Sequence, residues 1–296
     1  MIQKPTWKST MQALLYLLPA LVFIGIFNIY PIFKSLAMSF YENYNIFSGS
    51  VESYGLSNFV KIFSDPDFYT AIRNTFIFVI GVVPMSIIIS LLVAIMLNRI
   101  KMLSSLFRSI YFLPFVTSTV AVSIVWSWLF HTRYGLINYF LGFVGVDPIA
   151  WLTNPDFALL ALIIMSIWKG LGYNIILFLV GLNNIDKNYY RAARVDGANN
   201  WQQFTNITIP LLSPYILLVS IIGVINSFKV FTEVYSLFSG RPGPAGSALT
   251  MVFYIYEKFY TEYQYGIATA AGIVLFVIIL IFTLFQRWIS RKFIYN

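Results

Sequence analysis

Lys169, Lys229 and Glu233 are ionisable side chains within or at the ends of long apolar stretches, where each costs about 2.5–3.5 kcal/mol at a helix centre in a membrane. A charge kept at that cost has a partner or a use. Lys229 and Glu233 are four residues apart, so on a helix they share a face and can neutralise each other. The other reading is a polar cavity. Trp168, Tyr173 and Asn174 accompany Lys169 in the sequence, and Asn226, Phe228 and Phe231 accompany Lys229. Amides and charges interleaved with aromatic faces suit a ligand of dense hydroxyls and apolar ring faces, as in a sugar, although aromatics at helical spacing also serve packing. Two lysines equally suit an anion such as a sialic or uronic acid or glycerol phosphate.

Several chemistries are absent from the chain. It has no G-x-x-x-x-G-K-[ST] loop to cradle a nucleotide phosphate, so ATP hydrolysis is not its own. It has no H-E-x-x-H and no G-x-S-x-G, so no catalytic residue is assigned. With no Cys and His131 as the one histidine, no metal site is expected.

The elements that carry these residues are membrane helices. Hydrophobic residues make up 59% of the chain and charged residues 10%, too little charge to cover a water-soluble domain. Apolar runs at about 13–32, 75–97, 110–130, 157–182, 211–231 and 265–288 are each long enough to span a bilayer, which predicts an all-α polytopic membrane protein with six spans. Residues 1–11, with Lys4 and Lys8 before the first run, imitate a signal peptide, but no small-residue cleavage site follows and a retained span is expected. Pro19, Pro84 and Pro114 fall inside runs, where neighbouring helices can accommodate kinks.

Basic residues set the orientation. Placing the N-terminus inside puts Lys4, Lys8, Arg99, Lys101, Arg108, Lys187, Arg191, Arg194, Arg287, Arg291 and Lys292 in cytoplasmic segments, while most acidic residues fall in outer loops. Both termini are therefore expected in the cytoplasm, and the net charge of +8 reflects topology rather than a nucleic-acid partner. No convincing internal repeat is visible, which weakens a self-sufficient secondary transporter.

Between the fourth and fifth runs lies the polar segment 186–210. Asp186 can cap a short helix starting near Lys187, and Asp196-Gly197 reads as the turn that stops it. A second short helix is expected through Trp201, Phe204 and Ile207, ending before Pro210, with those three forming one apolar stripe. In the first helix Ala192 and Ala193 allow close approach of another body. Such a stripe suits the membrane interface, the protein's own bundle or a cytoplasmic partner.

This segment resembles the cytoplasmic loop of permease subunits of binding-protein-dependent ABC importers, whose pattern is Glu-Ala-Ala, three residues, Gly, nine residues, Ile, any residue, Leu-Pro. Arg191, Ala192 and Ala193 precede Gly197 at that spacing, and Ile207-Thr208-Ile209-Pro210 closes the pattern. Arg191 stands in place of the Glu and Ile209 in place of the Leu, and the first change inverts a charge. The stretches "NYYRAARVDGANNWQQFTNITIPLLSP", "LLPALVFIGIFNIYPIFKSLAMSF", "RSIYFLPFVTSTVAVSIVW" and "FKVFTEVYSLFSGRPGPAGSALTMVFYIYEKFY" are similar to the carbohydrate permeases of the maltose and glycerol-phosphate type, over nearly the whole chain. The first outer loop, about 41–73, is short beside that of the maltose-type subunit with a large insertion.

The resemblance implies a single permease domain over residues 1–296 in the bacterial plasma membrane, of the type I ABC importer kind. It further implies a second homologous permease, two ATPase subunits that use ATP and Mg, a solute-binding protein outside the membrane and a carbohydrate substrate. Arg191, Ala192, Ala193, Asp196, Gly197, Trp201, Phe204, Ile207 and Pro210 would then form the ATPase-coupling loop. Importers of the same architecture for another solute class, and a non-transport scaffold using the loop to recruit a partner, stay open as alternatives.

Overall fold

The computed structural model describes residues 7–44, 48–99 and 104–293. Lys4 and Lys101, used above for orientation, lie outside them. In chain order, α1 (Trp7–Ile24) passes through a π-helical turn, Gly25–Ile29, into α2 (Tyr30–Met38). An antiparallel ribbon of β1 (Tyr41–Glu42) and β2 (Ser53–Tyr54) leads to α3 (Ser57–Ser64) and the long α4 (Pro66–Arg99). Then come α5 (Ser104–Val116), α6 (Thr119–Leu129), the short α7 (Leu136–Gly142) and the long α8 (Pro155–Asn183). After α9 (Lys187–Val195), α10 (Asn200–Gln203) runs through a second π-helical turn, Phe204–Thr208, into α11 (Ile209–Phe228). The chain closes with α12 (Thr232–Leu237), α13 (Met251–Tyr256) and α14 (Tyr265–Phe293).

Five of these helices are long and apolar enough to cross a membrane: Trp7–Met38, Pro66–Asn98, Pro155–Asn183, Asn200–Phe228 and Tyr265–Ser290. The expected third span, 110–130, is not one straight helix. Its halves, α5 and α6, meet at 106° and make a sixth span only if taken together. Pro114 offers no N–H, and the Thr117 hydroxyl occupies the carbonyls of Leu113 and Pro114 at 3.2 and 2.8 Å. Ser118 then turns to φ −54°, ψ 131°, an extended conformation that stops the helix and starts the next.

Two prolines do the opposite. Pro31 and Pro210 each lie two residues after a π-helical turn, and the helix continues through both. A proline ring inside an α-helix clashes with the carbonyl four residues back, and the wider turn relieves that clash.

The chain forms two compact units. One contains the described residues up to Ser64 together with Ile255–Ile273. Here the Glu42 carboxylate accepts from the Ser53 hydroxyl at 2.7 Å and from the Ser57 backbone N–H at 3.1 Å, at the start of α3. The Ser53 hydroxyl, then the hydrogen bonds from Ser57, hold its pKa below the usual value. Buried Asn58 donates to the carbonyls of Ser39 and Tyr41, and Gly266 leaves room for its amide.

The other unit contains the described residues from Asp65 to Tyr254 and from Val274 to Phe293. Its interior is built where α4, α8 and α11 meet, with Leu91, Ala94, Ile175, Phe178, Leu212 and Val219 buried together. Apolar helices gain little by leaving lipid for one another, so close packing must hold them. Gly172 makes this plain: a Cβ there would run into the Tyr111 carbonyl oxygen of α5. Asn74 on α4 donates to the Leu249 carbonyl at 3.1 Å, and the Thr75 hydroxyl accepts the Met251 N–H at 2.9 Å, fixing the entry to α13.

Candidate functional site

The polar groups of α8 fall on one stripe. Ser166, Lys169, Gly170, Tyr173 and Asn174 sit at i, i+3, i+4, i+7 and i+8, so one face of an otherwise apolar helix is polar. That face lines a cleft of about 170 Å³. Phe78, Val82 and Ser86 close it from α4, Phe115 from α5, and Ile222, Gly223, Asn226 and Ser227 from α11; Glu233 of α12 enters beyond Val230. Phe115 stacks on Tyr173 with ring centres 5.1 Å apart, giving the wall a flat aromatic surface.

Lys169 and Glu233 are the two charged residues of the lining, and they meet. Their Nζ and Oε1 atoms are 3.6 Å apart, and their side chains are 18% and 23% exposed. The lysine also donates to the Thr119 hydroxyl at the first residue of α6. The bend between α5 and α6 thus supplies the neutral partner of the ammonium group.

The pairing of Lys229 with Glu233 does not occur. α11 ends at Phe228 and α12 begins at Thr232, so the four-residue helical spacing is interrupted between them, and Lys229 is exposed outside the cleft lining. Three aromatic candidates also lie off the cleft. Phe228 is buried edge-on to Phe76 and Phe282. Phe231 packs on Tyr235 and Phe253, and Trp168 packs on Trp126 while remaining 41% exposed. Of the expected residues, Lys169, Tyr173, Asn174, Asn226 and Glu233 come together.

Ser166 and Thr119 were not singled out from the sequence. Ser166 lies three residues before Lys169 and seven before Tyr173, a spacing that carries the signal. Nothing local marks Thr119, fifty residues upstream of Lys169.

The second candidate surface is the polar loop. Asp186 caps α9 by accepting the Asn188 N–H at 2.8 Å. The helix ends with Gly197 at φ +82°, where the Gly197 N–H reaches the Arg194 carbonyl and the Ala198 N–H reaches the Ala193 carbonyl at 2.8 Å. Asn199 and Gln202 then exchange side-chain and backbone hydrogen bonds at 2.8 and 2.9 Å, a reciprocal cap that opens α10. The Tyr190 hydroxyl meets that of Thr208 at 2.9 Å and ties the two sides together. Every turn of the knuckle is therefore satisfied from within.

The expected second short helix does not stop before Pro210. It continues through the π-helical turn into α11, so Pro210 lies inside one helix, Asn200–Phe228. The expected stripe runs from solvent into the bundle: the Trp201 and Phe204 rings pack with centres 5.6 Å apart, Trp201 is 70% exposed, and Phe204 and Ile207 turn toward the chain's own helices. Outward apolar surface comes from Trp201, Val195 and Tyr189, with Arg191 and Ala192 exposed beside them and Ala193 half-buried. Asp196 is exposed at the end of α9.

Membrane-length helices around a polar, charge-bearing cleft, with a self-capped polar loop between two of them, are the form of a membrane transport subunit. Residues 86–295 match the family described as the binding-protein-dependent transport system inner membrane component, and the chain belongs to that family. It is 39% identical to the lactose transport system permease protein LacF of Rhizobium radiobacter, over 94% of each chain. It is 34% identical to the arabinooligosaccharides transport system permease protein AraP of Bacillus subtilis, over 94% of this chain and 88% of that one. With the trehalose/maltose transport system permease protein MalF of Thermococcus litoralis the identity is 30%, over 97% and 96%. Among solved structures, a bacterial ABC transporter importing the acidic polysaccharide alginate superposes with a TM-score of 0.83 at 30% identity, over 97% of this chain and 98% of that one.

Proposed function

We propose that this chain is the transmembrane permease subunit of an ATP-driven importer for a sugar or oligosaccharide. The observation that carries the reading is the polar cleft between apolar helices in a chain of this family. Lys169, Tyr173, Asn174, Asn226 and Glu233 line the solute path, with amides and hydroxyls for sugar hydroxyls and the Phe115–Tyr173 pair for a ring face. A second homologous permease supplies the other half of the path, and a solute-binding protein outside the membrane delivers the cargo. A related alginate transporter has been solved with its oligosaccharide-bound periplasmic protein, which supports that partner.

The knuckle from Asp186 to Pro210 docks on a cytoplasmic ATPase subunit, where ATP and Mg are used. Its exposed Tyr189, Val195 and Trp201, and the small Ala192 and Ala193, form the contact. Both termini lie in the cytoplasm, and the whole chain works as one permease domain in a bacterial plasma membrane. Alternating access follows: closure of the ATPase pair moves the knuckle and opens the cleft outward, and hydrolysis with product release returns it inward.

The test is mass spectrometry of what co-purifies with a C-terminally tagged chain in mild detergent, coupled to uptake of labelled sugars by cells expressing the whole system. An ATPase and a second permease in comparable amounts, with uptake that requires this chain, are expected. Recovery of the chain alone from an extraction shown to preserve complexes, with no uptake, overturns the reading.

A further inference from the structure

We infer that Glu233 is a specificity-determining residue that makes the cleft selective for an uncharged glycan over an acidic one. This inference rests on the permease reading of the cleft given above.

Lys169 on its own would make the cleft an anion site, since an ammonium group in a partly desolvated pocket attracts carboxylates strongly. It is not on its own. The Glu233 carboxylate lies 3.6 Å from its Nζ, and the Thr119 hydroxyl takes another of its protons. Among the lining residues these are the one cation and the one anion, so the lining carries no net charge. Lys229, which would tip the balance, is exposed outside the lining. An incoming uronate meets a lysine already paired and a glutamate that repels it.

What remains for a ligand is neutral hydrogen-bonding capacity. The amides of Asn174 and Asn226 have no hydrogen-bond partner among the described residues, and both line the cleft. Ser166 is more telling. Ser86 and Thr75, buried on α4 across the bundle, fold back onto carbonyls three and four residues earlier at 3.0 and 2.7 Å. The Ser166 Oγ is buried, lines the cleft and has no hydrogen-bond partner. A buried hydroxyl left unpaired is costly unless a ligand completes it, and a sugar hydroxyl, donor and acceptor at once, does so.

The test measures uptake by cells carrying the complete transport system, with a labelled neutral pair, lactose and arabinotriose, against labelled oligogalacturonate. The wild type takes up a neutral sugar and discriminates against the acid. Glu233→Gln leaves Lys169 without its counter-charge and shifts the acidic-to-neutral ratio by about tenfold or more toward the acid, while Glu233→Asp keeps the original ratio. The double variant Lys169→Gln with Glu233→Gln removes both charges and retains the neutral preference, which keeps the inference testable if the single variant does not assemble. Equal uptake of the acid by the wild type overturns the inference and leaves the importer reading standing. So does an unchanged ratio in an active Glu233→Gln, or loss of the neutral preference in the double variant. Uptake of no sugar by an intact wild-type assembly overturns the importer reading and this inference with it.

Discussion

Gly197 is a residue whose backbone dictates its identity. At φ +82° it occupies the left-handed region, and a Cβ built there would meet nothing within 4 Å. Any loss on substitution therefore comes from the backbone, at about 1–2 kcal/mol for an ordinary side chain. Gly197→Ala is expected to lower uptake and thermal stability measurably, whereas Gly197→Asn, which tolerates that conformation, should retain more of both. Equal behaviour of the two variants contradicts this account. The glycine and its turn were legible from Asp196-Gly197 alone, because their cause is local. The site residues were legible only in part. A lysine and neighbouring polar groups in an apolar run announce a cleft, but the partner of Lys169 is set by where α12 begins, and the break after Phe228 separates Lys229 from Glu233. Phe228 fell to packing for the ordinary reason that a large ring beside two others is better buried among them.

Five of the six spans could be read from hydropathy because length and apolar content suffice to define a membrane helix. The fracture of the other could not. Both halves are apolar, and the decisive groups are the Thr117 hydroxyl and the extended Ser118. The elements are then locked by close contacts, of which Gly172 is the tightest. Its missing side chain admits the Tyr111 carbonyl, a backbone atom that cannot rotate away. Gly172→Ala should cost about 1–3 kcal/mol by overpacking, lowering the melting temperature of the purified protein and disturbing the Phe115–Tyr173 stack. Gly170→Ala, two residues away with nothing within 4 Å of its Cβ, is the control expected to melt near the wild type. Matching melting temperatures for the two would show that α5 and α8 do not need this approach.

For the molecule as a whole, the proposed orientation, with both termini inside, would put the segment after α8 in the cytoplasm and the one after α6 outside. The chain contains no cysteine, so single introduced thiols report cleanly. Val144→Cys and Val195→Cys replace side chains that are 74% and 87% exposed. In intact spheroplasts a membrane-impermeant maleimide should label the first and spare the second until the membrane is opened. The reverse pattern would invert the topology and with it the side on which the knuckle meets an ATPase. The expectation of orientation is a sum over many loops, so no single contact in the structure stands in for this labelling experiment.

The unbroken helix from Asn200 to Phe228 joins the knuckle to the cleft, with Trp201 near one end and Asn226 near the other. At about 1.5 Å per residue those two stand about 37 Å apart along the axis. A stiff lever of that reach magnifies small angles: a tilt of about 10° pivoting at Trp201 carries Asn226 sideways by about 6 Å. That is about the width of a pyranose ring. The π-helical turn that carries the helix past Pro210 is what makes such gearing available, since a break there would leave the loop to swing without moving the wall of the cleft.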